Sequence, residues 1–215
     1  MARISPDQMR SWLKVYFIAG STNCVQDSVN VLEEAIRGGI TIFQYREKGS
    51  NCLEGEEKLE LGKRLQRICK ENGMPFIVND DIEMALELDA DGVHIGQEDE
   101  DAQEVRKKIG DKILGVSVHN LKEAERAKRA GVDYFGVGPI FPTATKKDTR
   151  AVQGTAMLEQ LKDFGIPMVG IGGINAGNAA VVMNAGADGV SVITAISHAD
   201  DAREAAAKLK GKIFR

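Results

Sequence analysis

The chain has 215 residues, 43% apolar and 28% charged, with a formal net charge of -4. That length lies at the compact end of the range for one α/β barrel and suffices to enclose a full apolar core. The mildly acidic balance offers nucleic acid and anionic membranes no general attraction, and no apolar run approaches the roughly 20 residues of a membrane span.

The N-terminal MARISPDQMRSWLKV lacks the apolar stretch of a signal peptide and predicts a short amphipathic helix. Short apolar, β-branched runs then recur at near-even spacing: VYFIA from Val15, TIFQYRE from Thr41, PFIVND from Pro75 and GVHIG from Gly92. The series continues with ILGVSV from Ile113, DYFGVGPI from Asp133, PMVGIGG from Pro167 and GVSVIT from Gly189. None alternates cleanly between polar and apolar residues, the pattern of parallel strands buried on both faces. Amphipathic stretches such as SVNVLEEAIRGG, NLKEAERAKRAG and NAGNAAVVMNAG separate them, and a glycine often supplies the helix stop. Asp200 or Asp201 is expected to cap the last helix. The segments ELDADGVHIG, RAGVDYFGVG and NAGADGVSVI repeat one helix-to-strand turn. Strict alternation of strand and helix predicts a parallel sheet, and eight units predict a single (β/α)8 TIM barrel spanning residues 1–215. The alternative, an open doubly wound sheet, calls for GxGxxG after the first strand, where this chain has AGSTNC. Cys24, Cys52 and Cys69 are odd in number and form no CxxC pair, which suits the cytoplasm better than a disulfide framework or a zinc site.

A barrel carries its site at the C-terminal ends of its strands. The second strand ends in Gln44, Arg46 and Lys48, which alternation puts on one face, while Phe43 and Tyr45 should meet the helices. Cations in a row at a barrel mouth call for an anionic ligand, unless Arg46 and Lys48 pair with Glu47 or a neighbour at the rim. Asp80 or Asp81 after the third strand, and Asp99 after the fourth, could face a common point and share a magnesium ion with a phosphate. One of the two neighbouring aspartates is equally a helix cap, and spacing does not decide which. His94 reads as a packing residue. Ser117 can serve a ligand or cap the following helix, and no nucleophilic triad is legible around it. The long connection after the sixth strand, with Thr143, Thr145, Lys146, Lys147 and Arg150, reads as a mobile anion-binding lid. The last two connections, around Gly173 and around Ile193 and Thr194, read as the recurrent phosphate site of barrels.

The order QYREK, VNDD, HIGQED, Ser117, GPIFPTATK, GIGGI and SVIT, running from Tyr16 to about Ser197, resembles that of the thiamine-phosphate synthase family. The resemblance implies a magnesium-dependent transferase of thiamine biosynthesis. Such an enzyme joins a (diphosphooxymethyl)pyrimidine to a thiazole phosphate and releases pyrophosphate through a pyrimidine cation. It further implies that Gln44, Arg46, Lys48 and Asn79 hold the pyrimidine diphosphate and that Asp80 and Asp99 bind Mg2+. Ser117 would contact the pyrimidine, Thr143 and Thr145 the thiazole phosphate, and Lys146 the diphosphate. Gly173, Ile193 and Thr194 would receive phosphate on backbone groups. Arg46, Lys48, Ser117 and Lys146 are then the expected catalytic set. The alternatives within the same fold are a thiazole tautomerase and a non-catalytic phosphate-ligand-binding protein.

Overall fold

The apolar runs become strands because β-branched and aromatic side chains pack on both of their faces. In the computed structural model, which describes residues 3–143 and 152–214, the strands are β1 (Val15–Ala19), β2 (Ile42–Tyr45), β3 (Phe76–Asn79) and β4 (Gly92–Ile95). They are followed by β5 (Ile113–Val118), β6 (Tyr134–Val137), β7 (Met168–Ile171) and β8 (Gly189–Val192). Each pairs in parallel with the next, and β8 pairs with β1 through Val15–Val190, Tyr16–Ser191 and Phe17–Val192, so the sheet closes. Closure removes the doubly wound alternative.

Helix α1 (Pro6–Trp12), the short helix expected from the amphipathic N-terminal sequence, precedes the barrel and is capped by Ser5. The crossovers carry α2 (Ser28–Gly38), α3 (Gly55–Glu71), α4 (Ile82–Glu87), α5 (Ala102–Ile109), α6 (Leu121–Arg129), α7 (Ala156–Leu161) and α8 (Ala179–Asn184). A short α9 (Thr194–Ser197) and α10 (Ala202–Ile213) follow β8. Local chemistry sets their ends. Asp27 caps α2 by accepting from the Val29 and Asn30 amides, and Gly39 stops it at φ 95°. Asp201, rather than Asp200, caps α10 through the Glu204 amide. No helix among the described residues is long and apolar enough to cross a membrane.

Strand alternation divides the buried side chains into two sets. Phe17, Phe43, Tyr45, Val78 and Phe135 face outward and pack under the helices. Tyr16, Ile18, Ile42, Ile77, Ile113, Tyr134 and Val169 fill the barrel interior. Tyr45 therefore lies on the helix side, as expected, and its hydroxyl donates to the Lys58 carbonyl at 2.9 Å. Beneath the sheet, the buried Asp133 accepts from Arg106 at 2.6 Å, Arg3 at 2.8 Å and the Leu114 amide at 2.8 Å, and so ties the strand bottoms together.

Candidate active site

The mouth at the C-terminal strand ends has a charged side and a glycine-lined side. On the charged side, Lys48 donates to Asp80 Oδ2 at 2.8 Å. Glu47 is not its partner. Glu47 instead accepts from the Ser21 amide and hydroxyl and from the Leu53 amide, tying the β1 and β2 loops together. The Asp80 hydrogen bond and charge raise the Lys48 pKa above its ordinary value, against the opposing effects of burial and Arg46. Arg46 is half-buried beside it.

Asp80 adopts the left-handed φ of 61°, which turns the chain sharply at the end of β3. Asp81 is the cap of α4: it accepts from the Met84 amide at 3.0 Å and pairs with Lys58 at 2.6 Å. The two aspartates that spacing left equivalent thus divide their roles, and Asp80 faces the mouth. Asp99 accepts from the Gly96 amide at 2.7 Å and stands within hydrogen-bonding reach of Asp80. Burial, then the neighbouring Asp80 charge, push the Asp99 pKa up despite the Gly96 amide and Lys48. Two crowded carboxylates, one held ionised at a cost, suit a hard divalent cation that takes its remaining ligands from a phosphate and water. Among the described residues no group of three His, Cys, Asp or Glu side chains surrounds a point, so a metal there rests on this pair. Asn79 stands half-buried at the end of β3 on the same side.

Gln44 lies deeper than its neighbours. It is 1% exposed, and its Nε2 donates to the Tyr16 hydroxyl at 2.7 Å inside the barrel. Alternation did place it on the face of Arg46, but below the mouth rather than at it.

On the other side a cavity of about 340 Å³ opens between β5 and β8, lined by Ser117, Gly136, Thr143, Gly173, Ile193 and Thr194 among others. Gly173 has φ 63°, and a Cβ there would lie 2.5 Å from the Pro142 carbonyl oxygen. Glycine at this position lets the β7 loop pack against the base of the loop after β6. That base is pinned by Ile140 and Phe141 amides donating to Ile171 and Gly172 carbonyls, and on its far side by Gln153 donating to Pro139. Thr145, Lys146, Lys147 and Arg150, the heart of the expected lid, lie outside the described residues. Ile193 and Thr194 open the short α9 at the edge of the cavity.

Ser117 stands where the two sides meet. It caps nothing, because Asn120 caps α6 through the Glu123 amide. Its Oγ lies 2.9 Å from His94 Nε2, and His94 Nδ1 lies 3.0 Å from the Tyr134 hydroxyl. His94 is thus a buried, hydrogen-bonded core residue that joins Tyr134 to Ser117. Tyr16, Tyr134 and Ser191 also had no functional reading in the sequence. The Ser191 hydroxyl is buried at the cavity floor without a hydrogen-bond partner among the described residues.

The sequence profile of the family described as thiamine monophosphate synthase matches residues 15–196. The chain belongs to that family. It is 60% identical to a thiamine-phosphate synthase of Bacillus thuringiensis subsp. konkukian over 217 aligned positions, covering 100% of this chain and 99% of the relative. It is 58% identical to a thiamine-phosphate synthase of Bacillus velezensis, covering 100% of this chain and 97% of the relative. Among solved structures it is similar to a thiamine phosphate pyrophosphorylase from Pyrococcus furiosus, with TM-score 0.86 and 36% identity over 96% of this chain and 98% of that one. The family's matched span begins at β1 and ends in α9, so it includes the whole barrel mouth.

Proposed function

We propose that the protein is a thiamine-phosphate synthase, which joins a (diphosphooxymethyl)pyrimidine to a thiazole phosphate and releases pyrophosphate. Family membership carries the coarse statement, a transferase of thiamine biosynthesis. The observation that carries the finer one is the two-sided mouth: a cation and carboxylate cluster over β2 to β4, and a glycine-lined cavity over β6 to β8. Two anionic substrates need two such sides, with the reacting atoms between them.

In this reading Arg46, Lys48 and Asn79 take the diphosphate, with Lys146 as a further partner. Gln44 and Ser117 address the pyrimidine from below. Thr143, Thr145, Gly173, Ile193 and Thr194 take the thiazole phosphate, the last three through backbone groups. Asp80 and Asp99 would hold Mg2+, which supplies charge neutralisation to a leaving pyrophosphate. An electron-rich aminopyrimidine stabilises positive charge on its exocyclic carbon as the diphosphate departs. Arg46 and Lys48 stabilise the departing anion by their charge. The thiazole nitrogen, held by its phosphate on the opposite side, then bonds to that carbon. No protein nucleophile is required. The substrates are small and intracellular in kind, which fits a cytoplasmic enzyme.

The reading is tested by incubating both substrates with Mg2+ and measuring thiamine phosphate, then repeating with Asp80→Asn. Product formation that is abolished by chelation and by the substitution supports it. Full activity in chelator would remove the metal from the account.

A further inference from the structure

Tyr16 and Tyr134 are 1% and 0% exposed, and a phenol hydroxyl removed from water needs hydrogen-bond partners. They find them in a continuous chain across the barrel interior. Gln44 Nε2 donates to Tyr16 Oη at 2.7 Å, Tyr16 Oη lies 2.7 Å from Tyr134 Oη, and Tyr134 Oη lies 3.0 Å from His94 Nδ1. His94 Nε2 completes it at 2.9 Å from Ser117 Oγ, on the wall of the cavity.

The first link sets the direction of all the others. An amide nitrogen only donates. Tyr16 Oη accepts from it, so its own hydrogen goes to Tyr134 Oη. Tyr134 in turn gives its hydrogen to His94 Nδ1. An imidazole that accepts at Nδ1 carries its hydrogen on Nε2, and that hydrogen goes to Ser117 Oγ. The Ser117 hydrogen is left for the cavity. With the Gln44 amide nitrogen facing Tyr16, the reverse direction would have Tyr16 receive from both neighbours and leave its own hydrogen buried without an acceptor. Burial pushes both phenols above their ordinary pKa, so both keep the hydrogens that the chain requires.

Two glycines make the path. A Cβ on Gly115 would lie 2.1 Å from Tyr134 Cζ and 2.3 Å from its Oη, so the ring lies over β5 inside the barrel where that side chain is missing. A Cβ on Gly136 would lie 3.0 Å from His94 Cε1, beside the cavity. Neither glycine has a left-handed φ, so backbone conformation does not call for glycine at either position.

We propose that Gln44, Tyr16, Tyr134 and His94 form a directional positioning relay, which fixes the His94 hydrogen on Nε2 and presents the Ser117 hydroxyl as a donor to an acceptor atom of the pyrimidine diphosphate. The ligand in that statement rests on the function proposed above. The direction of the relay does not, because it is a property of the ligand-free chain.

The test is long-range 1H–15N NMR on histidine-labelled full-length protein without ligand. His119 and His198 are assigned by their own substitutions. The relay predicts a bare Nδ1 and a protonated Nε2 for His94. A protonated Nδ1 overturns it. In Tyr134→Phe, which keeps the ring, the His94 nitrogens should shift towards a tautomer mixture. The KM for the pyrimidine diphosphate should rise about tenfold, the scale of one hydrogen bond to a charged or strongly polar group, with the thiazole-phosphate KM unchanged. Ser117→Ala should cost a similar factor, and the double variant no more than Ser117→Ala alone. A purely structural Tyr134 would lower the melting temperature and leave the tautomer and the KM split untouched, and that result refutes the relay. If the NMR agrees and no thiamine phosphate is made, the relay stands and the proposed substrate fails.

Discussion

Gly173→Ala isolates the thiazole-phosphate side of the mouth. The substitution forces an L side chain onto φ 63°, which costs about 1–2 kcal/mol. It also sets a Cβ 2.5 Å from the Pro142 carbonyl oxygen and 2.9 Å from Phe141 Cβ. The first of these is backbone and cannot swing away, and crowding of this kind costs about 1–3 kcal/mol. If both costs stayed in the folded state, the loss would be about 2–5 kcal/mol. The loop after β6 can move outward and relieve part of it, so about 2–3 kcal/mol is expected. That movement would displace the backbone groups of the β7 loop from the cavity. Urea unfolding reads the stability, and initial rates with each substrate varied in turn read the site. The expected result is a lower urea midpoint, a thiazole-phosphate KM raised at least tenfold and a pyrimidine-diphosphate KM changed little. An unaltered thiazole-phosphate KM in a destabilised variant would mean that Gly173 serves packing only, and the phosphate cradle would have to be sought elsewhere.

Asp99→Asn should abolish magnesium-dependent turnover yet stabilise the ligand-free protein, because it removes a half-buried charge beside Asp80 while keeping an acceptor for the Gly96 amide. With solvent screening the gain is a few tenths to about 1 kcal/mol, and a lower melting temperature would contradict the crowding argument. Since the Asp99 pKa is raised, magnesium affinity should be full above that raised value and fall as pH drops through it, earlier than for an ordinary aspartate. Magnesium titrations at several pH values would show this, and an affinity flat down to pH of about 4 would not fit. Arg46→Ala should weaken diphosphate binding far more than thiazole-phosphate binding, and equal losses in direct titrations would dissolve the two-sided mouth. Asp133→Ala removes the carboxylate partner of Arg106 and the acceptor of the Leu114 amide below the sheet, while Arg106 keeps its bonds to the Gly110, Lys112 and Gly131 carbonyls, so it should cost about 2–3 kcal/mol of stability by urea unfolding while leaving both KM values alone.

The barrel was legible because its strands are buried on both faces. VYFIA and ILGVSV coincide with β1 and β5, and the other six runs overlap their strands with ends that extend past the ladder. Those overhanging ends, such as Arg46 and Lys48 after Tyr45, are the site itself. Alternation correctly separated Gln44 from Tyr45, but it carries no information on depth, so Gln44 read as a mouth residue and lies beneath it. Spacing could not tell Asp80 from Asp81, since the distinction depends on which of them accepts the Met84 amide and meets Lys58. The chain from Tyr16 through Tyr134 to His94 was invisible for a different reason. It joins strands far apart in sequence across the barrel interior, and each member looks like ordinary core when read in its own segment. The glycines at 115 and 136 were the available signal, because neither sits in a turn.

The central claim is that the two sides of one mouth join two phosphorylated substrates. Phosphorus NMR of the protein with Mg2+, the pyrimidine diphosphate and the thiazole phosphate tests it most directly. The account predicts that pyrophosphate and thiamine phosphate appear together, in equal amounts, and that neither appears when one substrate is withheld. A pyrimidine diphosphate that stays intact beside the thiazole phosphate, or that loses pyrophosphate without forming thiamine phosphate, would contradict it.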